Sequence, residues 1–213
     1  MLHQKTIQNE LSVPLLARLD YIRLQPQKIL VCSQYPDFAV SQLQLRYKKA
    51  IVKTVSNMLQ TSDDADTVDF IFSELPLLNH DINIVFHLFY RALKNQGLLL
   101  FSSLGPDSLP ELSMRPNNLV DMHNIGDALL AAQFSDPVTD SDRMTLAYSD
   151  AIEVLQDVRS FFSNDAMQYC AEKVDDYYPL TIELVSGHGW KIVEPEKAET
   201  KEHCISVDSF RKK

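Results

Sequence analysis

The residues of this sequence that could form a nucleotide loop or a metal site are its closely spaced glycines and its cysteines. Glycine is scarce, with five among 213 residues, and only Gly187 and Gly189 stand close enough to resemble part of a Gly-x-Gly turn. Cys32, Cys170 and Cys204 are odd in number and widely spaced, and they form no Cys-x-x-Cys pair. The sequence therefore predicts no glycine-rich phosphate loop, no disulfide framework and no metal site.

A third set of residues is basic. Arg46, Lys48, Lys49 and Lys53 form the densest positive cluster, which could either steer an acidic carrier protein to the chain or be the solvated end of a helix. The whole chain has 20 basic and 29 acidic residues and a formal charge of −9. Because this excess repels nucleic acid and anionic lipid, we expect neither as a partner.

The sequence also lacks the patterns of membrane and exported proteins. No apolar run approaches the roughly 20 residues of a membrane helix. The start, Met-Leu-His-Gln-Lys-Thr, lacks the basic and then apolar order of a signal peptide. We therefore expect a cytoplasmic protein. With 45% apolar residues, the 213-residue chain can bury one core, which predicts a single domain over 1–213.

The first half of the sequence alternates helical and strand patterns that would position these residues. The predicted helices span 7–25, 38–48 and 81–94, and the first is closed by Pro26. The predicted strands span 28–33, 50–55, 68–73 and 98–103, with an acidic loop at 61–67. Gly97 is expected to end the third helix in a left-handed conformation. This order predicts an α/β fold, doubly wound around a mostly parallel sheet.

The second half follows a less regular pattern. Short helices are predicted near 107–113 and 122–133, a strand at 138–148, and a loop or broken helix over 163–177. Ser149, Asp150 and Glu153 predict a capping box that opens a helix to about 162. A last strand is predicted at 180–186, followed by Gly187–Trp190 and a charged tail over 194–213.

Four stretches of this second half resemble one family. They are GLLLFSSLGPDSLPEL (97–112), VDMHNIGDALLAAQFSDPV (120–138), MTLAYSD (144–150) and IELVSGHGW (182–190). The family is BioC, the S-adenosylmethionine (SAM)-dependent malonyl-acyl-carrier-protein O-methyltransferases of biotin synthesis, and weaker similarity extends back through 70–97 and 15–30. The resemblance implies a class I methyltransferase fold, with a cofactor half at 28–103 and a substrate half at 104–193.

The sequence departs from the family pattern where the resemblance implies SAM binding. A glycine-rich turn should follow the first strand, because bare backbone must approach the cofactor closely. Residues 33–37 contain no glycine, and Ser56 stands where the family carries a ribose-binding acidic residue. Glu74 follows the third strand, at the carboxyl edge where ligands collect. The vestigial cofactor residues are therefore Ser33, Gln34, Tyr35, Asp37, Ser56 and Glu74.

Two further departures concern segments rather than single residues. Residues 57–67 are too few for the helix and strand that the family places there, which predicts a sheet shortened by an edge strand. The family's N-terminal lid segment is also expected to be absent. We therefore expect a protein linked to biotin synthesis that cannot bind SAM, needs no cofactor, and is non-catalytic or regulatory.

The alternative is an active O-methyltransferase that uses SAM to methylate the malonyl carboxylate of malonyl-acyl-carrier protein. The resemblance then implies that Asp121, His123 and Tyr148 position the substrate and that Arg143 clamps its carboxylate. Structural roles are open for three of them: Asp121 could cap a helix, His123 could be solvated in its first turn, and Arg143 could lie on the surface.

The partner predictions follow the same two alternatives. An acyl-carrier protein or an intact homologue could bind the chain, and the exposed edge of the second strand could pair two copies. The alternatives differ in whether the space above 34–37 is open or filled by Tyr35.

Overall fold

Six strands and five helices follow one another in the computed structural model of the chain, which describes residues 6–56, 65–74, 80–162 and 166–193. The described strands are β1 (Lys28–Cys32), β2 (Ile51–Val55), β3 (Val68–Glu74), β4 (Leu93–Leu104), β5 (Ser135–Tyr148) and β6 (Tyr178–Lys191). The described helices are α1 (Thr6–Ala17), α2 (Asp37–Arg46), α3 (Ile82–Ala92), α4 (Met122–Ala131) and α5 (Ala151–Phe161). A short 3₁₀ turn, Arg18–Asp20, follows α1.

The described strands form one sheet in the order β2-β1-β3-β4-β6-β5. The first four are parallel, and β6 runs antiparallel between β4 and β5. The prediction of an α/β fold around a mostly parallel sheet is confirmed. Within the described residues β2 is an outer strand, as a sheet without the additional edge strand requires.

Apolar side chains on alternating sheet positions hold the helices against both faces. Leu15 of α1 and Leu43 of α2 pack with Val31 and Leu100 on one face. The other face packs against α3 and α4. A third apolar cluster joins α5 and the start of α1 to Leu104, Tyr148 and Ile182. Because β1, β3 and β4 are covered on both sides, they carry the near-continuous apolar runs seen in the sequence.

Several predicted boundaries are wrong in the first half. The N-terminal helix ends at Ala17 instead of continuing to 25. The third helix ends at Ala92, and β4 begins at Leu93. The left-handed residue before the apolar run is Gln96, with φ 66°, and no described glycine has positive φ. Gly97 is needed for space instead, since a Cβ there would come 2.8 Å from the Lys94 carbonyl oxygen.

The second half contains larger errors. Residues 107–113 form turns and a single bridge between Leu112 and Tyr169, not a helix. The last strand continues to Lys191, so Gly187–Trp190 lie inside β6 instead of after it. The antiparallel strands β5 and β6 are both longer than predicted because they pair with each other over nearly their whole length.

Candidate functional site

The turn between β1 and α2 lies at the carboxyl edge of the sheet, and two of its backbone N–H groups are bonded within the protein. The Ser33 N–H donates to the Val55 carbonyl oxygen at 3.1 Å, and the Tyr35 N–H donates to Ser33 Oγ at 3.2 Å. Pro36 has no N–H to offer. At positions 33, 35 and 36 of this turn the backbone therefore has no free N–H to offer a ligand.

Side chains from this turn also contact the end of α5. Gln34 Nε2 donates to the Ser160 carbonyl oxygen at 3.0 Å, and the Tyr35 hydroxyl lies 3.4 Å from the same oxygen. The half-buried Tyr35 ring packs against the apolar cluster of α5, β5 and β6. Tyr35 thus occupies the space between the β1 turn and α5 with its own side chain.

Helix α1 covers the end of β3. The Ser12 hydroxyl donates to the Glu74 carboxylate, and Glu74 is only 4% exposed while Ser12 is fully buried. This carboxylate therefore lies at the ligand-binding edge of the sheet but is bonded to a neighbouring helix.

The remaining polar groups at this edge are buried. The Ser102 and Ser103 hydroxyls have no hydrogen-bond partner in the described part of the chain. Burial raises the pKa of the Cys32 thiol to about 11; the nearby Ser73 hydroxyl opposes this rise and the Glu74 charge adds to it, so the thiol is neutral at physiological pH.

The other two vestigial cofactor residues are at the surface. Asp37 is the exposed first residue of α2, and Ser56 is exposed just after β2. Neither the Ser56 hydroxyl nor any carboxylate of the described β2 end offers the two acceptors that a ribose diol requires.

The structure gives Asp121 a helix-capping role. Its carboxylate accepts the N–H groups of His123, at 2.9 Å, and Asn124, at 3.1 Å, at the start of α4. These hydrogen bonds, that of Asn124 first, lower the pKa of Asp121. His123 is exposed in the first turn of the helix. The two residues lie together, in the positions expected of a cap and a solvated histidine.

Arg143 and Tyr148 lie apart on β5. Arg143 is exposed in the middle of the strand, whereas Tyr148 is buried at its end and donates to Asp157 Oδ2 at 3.1 Å. Burial first, and then the Asp157 charge, raise the pKa of Tyr148 well above its usual range. The four candidate substrate-positioning residues are therefore not brought to one point.

The loop after β4 is held by Glu183, which was not predicted. A Cβ at Gly105 would come 2.3 Å from the Glu183 carboxyl group, so any larger residue there would have to displace that side chain. Glu183 Oε2 accepts the Asp107 N–H at 2.7 Å, and the Ser108 hydroxyl donates to the Glu183 carbonyl oxygen at 3.1 Å. The Leu-Gly-Pro-Asp sequence is therefore a docking element for β6.

A second unpredicted group links the 3₁₀ turn after α1 to strands β5 and β6. Arg18 bonds the carboxylate of Asp140 and also donates to Ser186 Oγ at 2.9 Å. His188 lies nearby on β6, and burial, followed by the Arg18 charge, lowers its pKa. Arg18, Asp140 and Ser186 are 46 to 168 positions apart in the chain, so no local pattern could reveal their contact.

The described residues also lack two other kinds of site. Within the ranges given above, no three His, Cys, Asp or Glu side chains are placed to share a metal ion. None of the described helices has the length and apolar character that a membrane crossing requires.

Comparison of the fold defines the class of protein. A SAM-dependent methyltransferase from Archaeoglobus fulgidus has the same fold, with a TM-score of 0.53 and 13% identity over 85% of this chain and 94% of its own. No protein-family model matches the chain.

Two relatives identify the family. Malonyl-[acyl-carrier protein] O-methyltransferase of Gallionella capsiferriformans is 30% identical, over 87% of this chain and 84% of its own. Malonyl-[acyl-carrier protein] O-methyltransferase 1 of Coxiella burnetii is 31% identical, over 92% of this chain and 86% of its own. This chain belongs to the malonyl-[acyl-carrier protein] O-methyltransferase family. The Coxiella alignment extends over 242 positions, more than the 213 residues here, so that relative carries internal segments that this chain lacks.

The residues at the carboxyl edge differ from the SAM-binding pattern that the family resemblance implies. The turn after β1 has spent the N–H groups of Ser33 and Tyr35, and Tyr35 places a ring where bare backbone is needed. The end of β2 offers Ser56 in place of a carboxylate, and Glu74 is bonded by Ser12.

Proposed function

We propose that this chain is a BioC-family protein linked to biotin synthesis that does not bind SAM and is therefore non-catalytic or regulatory. The observation that carries the proposal is the turn at 33–37, where Tyr35 packs toward α5 and the N–H groups of Ser33 and Tyr35 are used internally. A ligand entering there would have to displace the Tyr35 ring and break these bonds.

The end of β2 strengthens this proposal energetically. A charge-assisted hydrogen bond contributes about 1.5–3 kcal/mol, so losing one ribose-binding carboxylate at Ser56 weakens binding roughly ten- to hundredfold. The segments that the Coxiella relative has and this chain lacks are consistent with the short connection at 57–67, where the resemblance implies further cofactor-contacting structure.

Calorimetric titration with SAM tests the proposal, with the Gallionella relative as the positive control. We expect no heat of binding to this chain at micromolar to millimolar SAM. Thermal unfolding provides a second readout, because ligand at a hundred times its Kd adds about 2.7 kcal/mol of stability. For a chain of this size such a gain would raise Tm by about 5–10 °C. One-to-one binding with a micromolar Kd would overturn the proposal.

The names of the relatives support a second candidate function, the SAM-dependent methylation of the malonyl carboxylate of malonyl-acyl-carrier protein. It would require an unusual cofactor pose or a partner chain, because the carboxyl edge does not fit SAM as it stands. Transfer of a radiolabelled methyl group from SAM to malonyl-acyl-carrier protein distinguishes the two. In that case Arg143→Ala should raise KM through the loss of a carboxylate clamp, and Arg91→Ala on α3 is its surface control.

The proposed partners are an acyl-carrier protein or an intact homologue. The basic cluster gives partial support to the first: Arg46 is bound to Asp20 at 2.7 Å, whereas Lys48, Lys49 and Lys53 are exposed. Lys48 and Lys49 precede β2 and therefore lie at the amino edge of the sheet, opposite Tyr35 and Glu74. An acyl-carrier protein bound at these lysines would therefore lie away from the carboxyl edge, so the cluster does not account for delivery of a substrate there.

The proposed location is the cytoplasm. Cys32 and the exposed Cys170 are both free thiols, as is usual in a reducing compartment. Fractionation of cells that express the tagged chain tests this location.

A further inference from the structure

The outer edge of β2 is exposed to an unusual degree for a strand of a parallel sheet. Such strands are normally buried on both faces. In β2, however, Lys53 and Thr54 are exposed, and the Ile51 side chain is 59% exposed. Leu45, on the adjacent helix α2, is 68% exposed. The edge therefore combines an open strand with apolar side chains that nothing in the described residues covers.

The direction of the backbone groups of β2 follows from its pairing with β1. The Ile51 N–H donates to the Gln27 carbonyl oxygen at 2.8 Å, and the Val55 carbonyl oxygen accepts the Ser33 N–H at 3.1 Å. Because backbone groups of successive residues in a parallel strand point to opposite sides, those of Val52 and Thr54 face outward. Within the described part of the chain, no strand pairs with this side of β2.

The charge at this edge is positive although the chain as a whole is acidic. Lys48, Lys49 and Lys53 are exposed and have no ion-pair partner among the described residues, whereas Arg46 is paired with Asp20. A second copy pairing antiparallel through the same edge would bring Lys53 against its own counterpart, which is unfavourable. The surface therefore complements an acidic segment better than another β2.

We propose that the outer edge of β2 binds an extended acidic segment of a partner protein, which adds a strand to the sheet. Main-chain hydrogen bonds to Val52 and Thr54 would supply affinity. Lys53 would select acidic side chains on its own face of the sheet, and Val52 would select apolar side chains on the opposite face. The proposal is consistent with the internal segments present in the Coxiella relative, which this chain lacks. It does not depend on whether the chain binds SAM.

A capped eight-residue peptide of alternating Glu and Val is a direct probe of this edge. We expect fluorescence anisotropy to show binding that weakens with added salt, and hydrogen exchange to show protection of the Val52 and Thr54 amides. Thr54→Pro removes an outward donor without removing a bond to β1, and it should weaken binding at least tenfold. Thr54→Ala is the matched control and should bind as the unaltered chain does.

Charge reversal tests the choice of partner. Lys53→Glu should weaken binding of the Glu/Val peptide about tenfold, whereas Arg91→Glu on α3 should leave it unchanged. The proposal is overturned if the Glu/Val peptide does not bind at millimolar concentration or if a Lys/Val peptide binds equally well. Sedimentation that shows the chain dimerising through β2, with the dimer lost in Thr54→Pro, would assign the edge to a second copy and would also overturn it.

Discussion

Replacement of Ser12 by alanine tests whether the carboxyl edge of the sheet now serves to hold the fold together. Ser12 donates to the buried Glu74 carboxylate across 62 residues of chain. In a functional ligand site, buried polar groups are held at a cost in stability, so their removal tends to stabilise the protein. In a site that has become structural, removal of the same bond must destabilise it.

The magnitude follows from the burial of both partners. A hydrogen bond to a charged group contributes about 1.5–3 kcal/mol. Alanine returns up to about 0.5 kcal/mol through its greater helix propensity. We therefore expect Ser12→Ala to lower the free energy of unfolding by about 1–2.5 kcal/mol, which for a chain of this length corresponds to about 3–10 °C in Tm.

Thermal and urea unfolding followed by circular dichroism provide the measurement. Ser41→Ala is the matched control, because Ser41 lies on the exposed side of α2 and bonds only the Phe38 carbonyl oxygen in its own helix, at 2.7 Å. It shares the gain in helix propensity but not the buried bond, so its Tm should change little. An unchanged or higher Tm for Ser12→Ala would refute the assignment of Glu74 to a structural role.

Three further predictions concern other parts of the chain. Gly105→Ala should lower the free energy of unfolding by about 1–3 kcal/mol, because the added Cβ would overlap the Glu183 carboxyl group. A Tm equal to that of the unaltered chain would contradict this prediction. The lowered pKa of Asp121 predicts a contribution to stability that is present above about pH 4 and is lost as pH falls through the folded pKa. In acid titrations of unfolding, Asp121→Asn should keep the helix cap but reduce this pH dependence. Identical acid profiles for the two proteins would argue against it. Cys32 is buried and its pKa is about 11, whereas Cys170 is exposed. Peptide mapping after brief alkylation at pH 7.5 should therefore find Cys170 modified and Cys32 unmodified until the chain is unfolded. Equal labelling would show that Cys32 is accessible.

The alternating order of strands and helices was predictable because it rests on local patterns. The apolar runs of β1, β3 and β4 are buried on both faces, and the periodicity that predicted α3 reflects the side that this helix packs on the sheet. The cap at Asp121 was also predictable, since a helix start needs an acceptor for its free N–H groups. The capping box at Ser149–Glu153 was only partly correct: Asp150 caps α5, but Glu153 bonds the Ser149 hydroxyl.

Elements whose form depends on distant partners were not predictable. Residues 107–113 resemble a short helix in composition but form turns, because their backbone and side chains bond β6 and residues 168–170. Strands β5 and β6 extend beyond their predicted ends because the backbone N–H and C=O groups of each bond those of the other. The contacts of Ser12 with Glu74 and of Arg18 with Asp140 join residues far apart in the chain.

The sequence by itself determined the fold class, the family resemblance and the absence of glycine from residues 33–37, since composition and period are local properties of the chain. Only the tertiary structure decided what occupies the carboxyl edge of the sheet. There Tyr35 contacts α5 and Glu74 contacts α1, because folding packs the N-terminal helix and the helix between β5 and β6 over the ends of β3 and β1. The scarcity of glycine is visible in the printed sequence, but the side chains that fill the resulting space come together only on folding.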